Sequence, residues 1–204
     1  MLIVSMAILS MLTLPGRADT FGFRQVNGSN PELAPQFSLN VDAGAGAGTV
    51  DFLFHNNVPG YEQKGYCSVT DIYFYGADLI DPASCNLDQV GCNFTKSPTT
   101  PPNLPGWQGP PTALVYSTGI EGGPWRGLDD KSDTVKFTFA LNDGNTFAQL
   151  LKDLHGGAFV AGLKVQSIWP CDNSATFVTT PVPAAALLGL LGMATAGMKL
   201  RKFV

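Results

Sequence analysis

Three stretches of the chain alternate apolar and polar residues with a period of two: QFSLNV at 36–41, TVDFLFHN at 49–56 and DTVKFTFAL at 133–141. Successive side chains of an extended strand point to opposite faces, so each stretch makes sense only as a half-buried strand. Phe37, Leu39 and Val41 share one face of the first, and Val50, Phe52 and Phe54 one face of the second. In the third, Val135, Phe137, Phe139 and Leu141 point inward, while Thr134, Lys136 and Thr138 point to water. DIYFYG adds Ile72 and Phe74, and AFVAGLKVQSI adds Phe159, Ala161, Leu163 and Val165, with SATFV as a closing strand. The Gly-rich DAGAGAG between the first two strands reads as a hairpin connection.

Only one segment departs from this pattern toward a helix. In TFAQLLKDLHGG, Phe147, Leu150, Leu151 and Leu154 recur at helical spacing, and a glycine pair ends the run. Strands, one helix, then strands predicts an all-β antiparallel sandwich of jelly-roll-like type with one short helix. With 23 glycines, 15 prolines and only 14% charged residues, the composition also suits a loop-rich β body. Residues 76–130 hold eight of those prolines, and apart from TALVYST they read as a long irregular excursion of the kind that is functional or stapled.

Both ends of the chain read differently from its middle. An apolar run from Leu2 to Leu14 is followed by Pro-Gly and by small residues at Gly16 and Ala18, the pattern of a cleaved export signal, with the cut expected after Ala18. At the other end, 17 uncharged residues run from Val182 to Met198, at the short limit of a bilayer span, and Lys199, Arg201 and Lys202 follow. The expected organisation is a signal peptide at 1–18, a β-sandwich domain at 19–180, and a C-terminal segment at 181–204. That segment would form a transmembrane helix with its basic end on the cytoplasmic side. A buried C-terminal helix would need a polar face, which AAALLGLLGMATAG lacks.

Export sets how charge and cysteine are read. Setting aside Arg17, Lys199, Arg201 and Lys202 leaves eight basic residues against all 16 acidic ones, a body near −8. Such a body is a poor partner for nucleic acid or anionic lipid. Cys67, Cys85, Cys92 and Cys171 form an even set, which in an exported chain favours two disulfides. Three pairings are possible; the short Cys85–Cys92 spacing favours that pair, leaving Cys67 with Cys171.

Signatures of catalysis and of resident cofactors are missing: there is no HExxH, GxSxG, Walker or dinucleotide-binding pattern. No cofactor and no metal are expected. His55 ends a strand and reads as a hydrogen-bonding strand terminus, and His155 as a partner of the helix C-terminal dipole. Asp129, Asp130, Ser132 and Asp133 in LDDKSD lack the glycine and distal glutamate of a calcium loop and read as a solvated turn. Trp107 and Trp125 sit in Pro/Gly-rich loops, where they either stack on sugar rings or cover the core beneath a long loop. Trp169, beside Pro170 and Cys171, reads as packing on a disulfide. A hydrolase assembled from dispersed carboxylates and His55 is a further, weaker alternative.

The Pro181-Val182-Pro183 motif, the short apolar span and the basic end together resemble the PEP-CTERM sorting signal of exported bacterial proteins, in its VPxPA variant. The resemblance implies an exosortase-type processing enzyme as a partner. The order of TVDFLFHN, SVTDIYFYG, PPNLPGW, DTVKFTFAL with TFAQLLKDL, GGAFVAGLKVQSI and SATFV is similar to that of β-sandwich surface proteins bearing such signals. The Gly-Leu-His-Val-Gln run of that group is here Gly162, Leu163, Lys164, Val165 and Gln166, so no role tied to its histidine carries over. What the resemblance implies is a non-enzymatic surface or matrix protein of a Gram-negative-type bacterium. It would be held at the inner membrane before processing, with a structural or adhesive role beside exopolysaccharide in biofilm. A carbohydrate-binding module using Trp107 and Trp125 is the alternative.

Overall fold

The computed structural model describes residues 18–59, 63–97, 104–109, 112–119, 124–170 and 173–180. The leader, Cys171, the motif Pro181, Val182 and Pro183, and the basic residues Lys199, Arg201 and Lys202 lie outside them.

Among the described residues ten strands form one curled antiparallel sheet. They are β1 (Asp19–Asn27), β2 (Phe37–Ala43), β3 (Thr49–Asn56), β4 (Ser68–Tyr75), β5 (Asn86–Val90), β6 (Thr95–Lys96), β7 (Thr112–Ser117), β8 (Thr134–Ala140), β9 (Val160–Ile168) and β10 (Asn173–Thr180). Their order across the sheet is β5-β8-β3-β2-β1-β10-β9-β4-β7-β6. The strand β1 makes the curl possible: Asp19, Thr20 and Phe21 pair with β2, and from Gly22 onward the strand pairs with β10. The edge strands β5 and β6 are separated in sequence by only residues 91–94, so the curl brings the two free edges together. Gln89 fastens them, accepting from the Phe94 N–H at 2.7 Å and donating to the Phe94 carbonyl at 3.3 Å.

Curling lets the two halves of the sheet bury their apolar faces against each other. Phe52 and Phe54 of β3 and Phe137 and Phe139 of β8 meet Phe74 of β4, with ring centroids 5.4–6.0 Å apart and mostly edge-to-face. That is the arrangement aromatic quadrupoles favour. The strands β3 and β8 alternate buried and partly exposed residues without a break, and β2 does so from Phe37 to Val41, as their sequences require.

Among the described residues a single α-helix, α1 (Phe147–Gly156), joins β8 to β9. Thr146 caps it by accepting from Gln149 N–H at 3.2 Å, Gly157 ends it in the left-handed conformation, and Leu150 and Leu154 enter the core. Among the described residues no helix is long and apolar enough to cross a membrane.

Two expectations are corrected. The stretch 76–130 is not simply irregular outside TALVYST, which is β7, since β5 and β6 also lie within it. Cys85 and Cys92 are free thiols. The strand β5 stands between them, and its five extended residues hold their ends on the order of 13 Å apart. A disulfide needs Cα atoms within about 7 Å. Instead Cys92 Sγ donates to the Thr134 carbonyl at 3.3 Å. Cys67 is a buried free thiol, pushed up to about 12 by burial. The partner expected for it, Cys171, lies outside the described residues.

Candidate functional site

The half of the sheet from β10 to β6 has a divided outer face. Toward one end, Tyr73, Tyr75, Val115, Val160 and Val178 form an apolar patch that Leu104 and Trp107 cover. Trp107 packs on Tyr75 with ring centroids 5.3 Å apart, and the Leu104 N–H donates to Tyr75 Oη at 3.1 Å. Trp107 is therefore a lid on the sheet, the second of the two roles its loop allowed.

Trp125 has the opposite surroundings. It stands in a 3-10 turn, Pro124–Arg126, and is 71% exposed. The turn is fixed from beneath. Ser68 Oγ donates to the Pro124 carbonyl, Val69 and Leu128 exchange backbone hydrogen bonds at 3.1 Å, and Asn93 N–H donates to the Arg126 carbonyl at 2.8 Å. Gly127 lets the turn lie flat on β4, because a Cβ there would collide with the Val69 carbonyl and Ser68 Oγ. An exposed indole on so tightly held a backbone loses little conformational freedom on binding.

Facing it is Trp169, 44% exposed, just beyond the end of β9 and held by its N–H on the Tyr66 carbonyl at 3.0 Å. Ser167, two residues before it, has φ 54°, an uncommon left-handed conformation for a residue with a side chain, which turns the strand end toward the cleft. Trp125 and Trp169 flank a cleft of about 540 Å³ lined also by Tyr66, Gln166, Asn173 and Ser174. Among the described residues no charged side chain lines it, and its size is that of a small-molecule site. Trp169 and Pro170 also wall a neighbouring cleft with Leu33, Gln36 and Ile168. The structure thus pairs Trp125 with Trp169, where the sequence suggested Trp107. Trp169 is a surface wall and not simply packing.

Tyr66 forms part of the cleft and links it to the acidic turn of LDDKSD. Its Oη donates to Asp129 Oδ2 at 3.0 Å. LDDKSD is a turn, as expected; its cap is Asp133, whose Oδ2 accepts from the N–H groups of Asp129 and Asp130 at 3.0 and 2.8 Å and which is buried where a solvated residue was expected. Among the described residues no group of three His, Cys, Asp or Glu is placed to hold a metal ion. Burial, and then the Asp133 carboxylate, push the Asp129 carboxyl up to about 6, against the lowering effect of Tyr66. A carboxyl raised in the fold binds its proton more tightly there than in the unfolded chain, so its stabilising contribution is present at low pH and is lost as pH rises from about 4 to about 6. Asp129→Asn keeps an acceptor for Tyr66 and removes the titration. It is expected to raise the melting temperature at pH 7 and to flatten its fall between pH 4 and pH 6, and an unchanged pH profile would refute the assignment.

The two histidines lie apart from the cleft. His55 sits near the end of β3 opposite Ser38. His155 Nε2 lies 3.0 Å from Asp19 Oδ2 and its ring packs on Phe21, so it joins the end of α1 to the start of β1. No family model, no curated protein and no solved structure matches the chain.

Proposed function

We propose that the chain is an exported, surface-tethered protein that holds neutral polysaccharide in the cleft between Trp125 and Trp169, as a structural or adhesive element and not as an enzyme. The observation that carries this reading is the pair of exposed indoles on hydrogen-bonded backbone, flanking a cleft that no charged side chain lines among the described residues. Sugar rings present apolar C–H faces that stack on aromatic planes, while their hydroxyls need amide and hydroxyl partners, which Gln166, Asn173 and Ser174 supply. The scaffold would be a jelly-roll-like sandwich, a reading supported by the aromatic contacts across the curl.

Export and tethering rest on the sequence alone: the leader pattern ending at Ala18, and the segment 181–204 with its Pro181-Val182-Pro183 motif and basic end. Under this reading an exosortase-type enzyme processes the tail, the membrane holds the chain until then, and the released or anchored protein joins the exopolysaccharide at the cell surface. The start of β1 at Asp19, directly after the proposed cut, suits that maturation.

Affinity electrophoresis through gels containing neutral glucans, together with a glycan array, tests the binding. Wild-type protein and Trp107→Ala are expected to be retarded, while Trp125→Ala and Trp169→Ala each lose about tenfold or more in affinity. Retardation that survives in both of the latter variants would remove the cleft from the function.

A further inference from the structure

The outer face that carries the cleft continues along β9. Beyond the cleft, register places one polar residue per strand in a row: Thr95 of β6 opposite Ser117 of β7, Ser117 opposite Asp71 of β4, and Asp71 opposite Lys164 of β9. These residues line a second cleft of about 530 Å³, and Gln166 lines both clefts. Lys164 and Gln166 stand two residues apart on the same face of β9, about 7 Å along the strand. The two clefts therefore adjoin at one side chain.

The charge arrangement selects among ligands. Lys164 Nζ lies 3.8 Å from Asp71 Oδ2, with side chains 33% and 15% exposed, and Thr70 Oγ1 donates to the same carboxylate oxygen at 2.9 Å. Lys96, the other lysine of this cleft, has Nζ on the Pro82 carbonyl at 3.1 Å. An ammonium and a carboxylate side by side offer one donor and one acceptor group, which match two adjacent hydroxyls of a sugar. A polyanion would have to displace Asp71 and approach a body near −8. Flanking hydroxyls of Ser117 and Thr95 can donate or accept as a ligand requires.

We infer that the Lys164–Asp71 pair is a second sugar subsite, gripping the vicinal hydroxyls of a neutral oligosaccharide whose other end stacks between Trp125 and Trp169. The inference rests on the proposed glycan cleft and adds a length requirement to it: the ligand is an oligosaccharide chain, and a single ring fills only one subsite. Asp71 and Lys164 are ligand-binding residues in this assignment, with Gln166 bridging the two subsites.

Calorimetric titration with malto- and cello-oligosaccharides, from di- to hexasaccharide, tests this against the intact protein. At least one series is expected to gain about tenfold in affinity with length. Asp71→Asn and Lys164→Met are each expected to abolish that gain while leaving the disaccharide affinity, which depends on Trp125, in place. Trp125-dependent binding that shows no gain with length, or a gain that both variants keep, would overturn the second subsite and leave the first standing. No binding in either series, or binding indifferent to Trp125→Ala, would overturn both. Tighter binding of oligogalacturonate, lost in Lys164→Met, would overturn the neutral class. Melting curves of the two variants within a few degrees of wild type show that the fold is intact.

Discussion

Replacing Phe74 by alanine is expected to lower the stability of the folded body by about 4 kcal/mol, the middle of the range for a buried phenylalanine. Phe74 is fully buried, and its ring is the common neighbour of both halves of the curl. Centroids of Phe52 and Phe137 lie at 5.4 Å, Phe139 at 5.5 Å, Phe54 at 6.0 Å, and Tyr116 and Phe159 at 6.3 Å. Neighbours anchored in different strands cannot all relax into the space the ring vacates, so the cavity persists and its cost adds to the lost burial. For a body of this size the melting temperature should drop by roughly 8–16 °C. Urea unfolding should show a lower midpoint with little change in slope. The comparison is Val90→Ala on the edge strand β5, where the side chain is 58% exposed and the effect should fall within about 0.5 kcal/mol. A Phe74→Ala loss under about 2 kcal/mol would mean that the two faces are not pressed together as described.

Asn56→Asp is expected to be nearly as damaging at neutral pH, and far less so in acid. Asn56 is 1% exposed, and its Nδ2 donates to the carbonyls of Leu128 at 2.8 Å and Cys67 at 3.1 Å. It is the polar stitch between the end of β3, in one half of the curl, and the approach to β4, in the other. An ionised carboxylate there donates nothing and faces two carbonyl oxygens in a dehydrated site, a loss of about 4 kcal/mol. Burial raises the carboxyl in the fold, so the protonated form is the stable one; the variant should be firmest near pH 4 and lose stability as pH rises toward 7. Asn56→Leu removes both donations without a charge and should cost about 3 kcal/mol at every pH. Equal losses at pH 4 and pH 7 in the aspartate variant would place Asn56 in contact with water and contradict its burial.

The strands that were legible in the sequence are those with one wet and one dry face. Phe37-Leu39-Val41, Val50-Phe52-Phe54 and Val135-Phe137-Phe139 announce themselves because each burial decision falls on alternate residues. The helix TFAQLLKDL was legible from its cap and its leucine spacing. The strand β5 was not, because it is an edge strand in which only Leu87 and Gln89 turn even partly inward. A five-residue edge with two half-buried positions carries too little pattern to stand out in proline-rich surroundings, and missing it made Cys85–Cys92 look like a natural bridge. The candidate site failed to show for a different reason. Trp125 and Trp169 lie 44 residues apart in sequence and meet only because β4 pairs with β9 while Leu128 pairs with Val69. Loop composition favoured Trp107 as the partner of Trp125, and nothing local distinguishes an indole that covers a tyrosine from one that faces solvent. Asn56 was likewise invisible, since one asparagine at a strand end gives no sign of which carbonyls it will serve.

The run of β10 has a consequence for how such a protein would stand on a surface. Asn173, at the beginning of the strand, lines the tryptophan cleft, and Thr180, at its end, pairs with Gly22 close to where β1 begins. Seven steps of extended chain separate the two, about 25 Å. The first residues of β1 and the last of β10 therefore share one pole of the molecule, and Trp125 and Trp169 occupy the other. Under the proposed tether, a body held from beyond Thr180 would stand like a post, its foot at the membrane and its open hand turned outward to passing polymer strands.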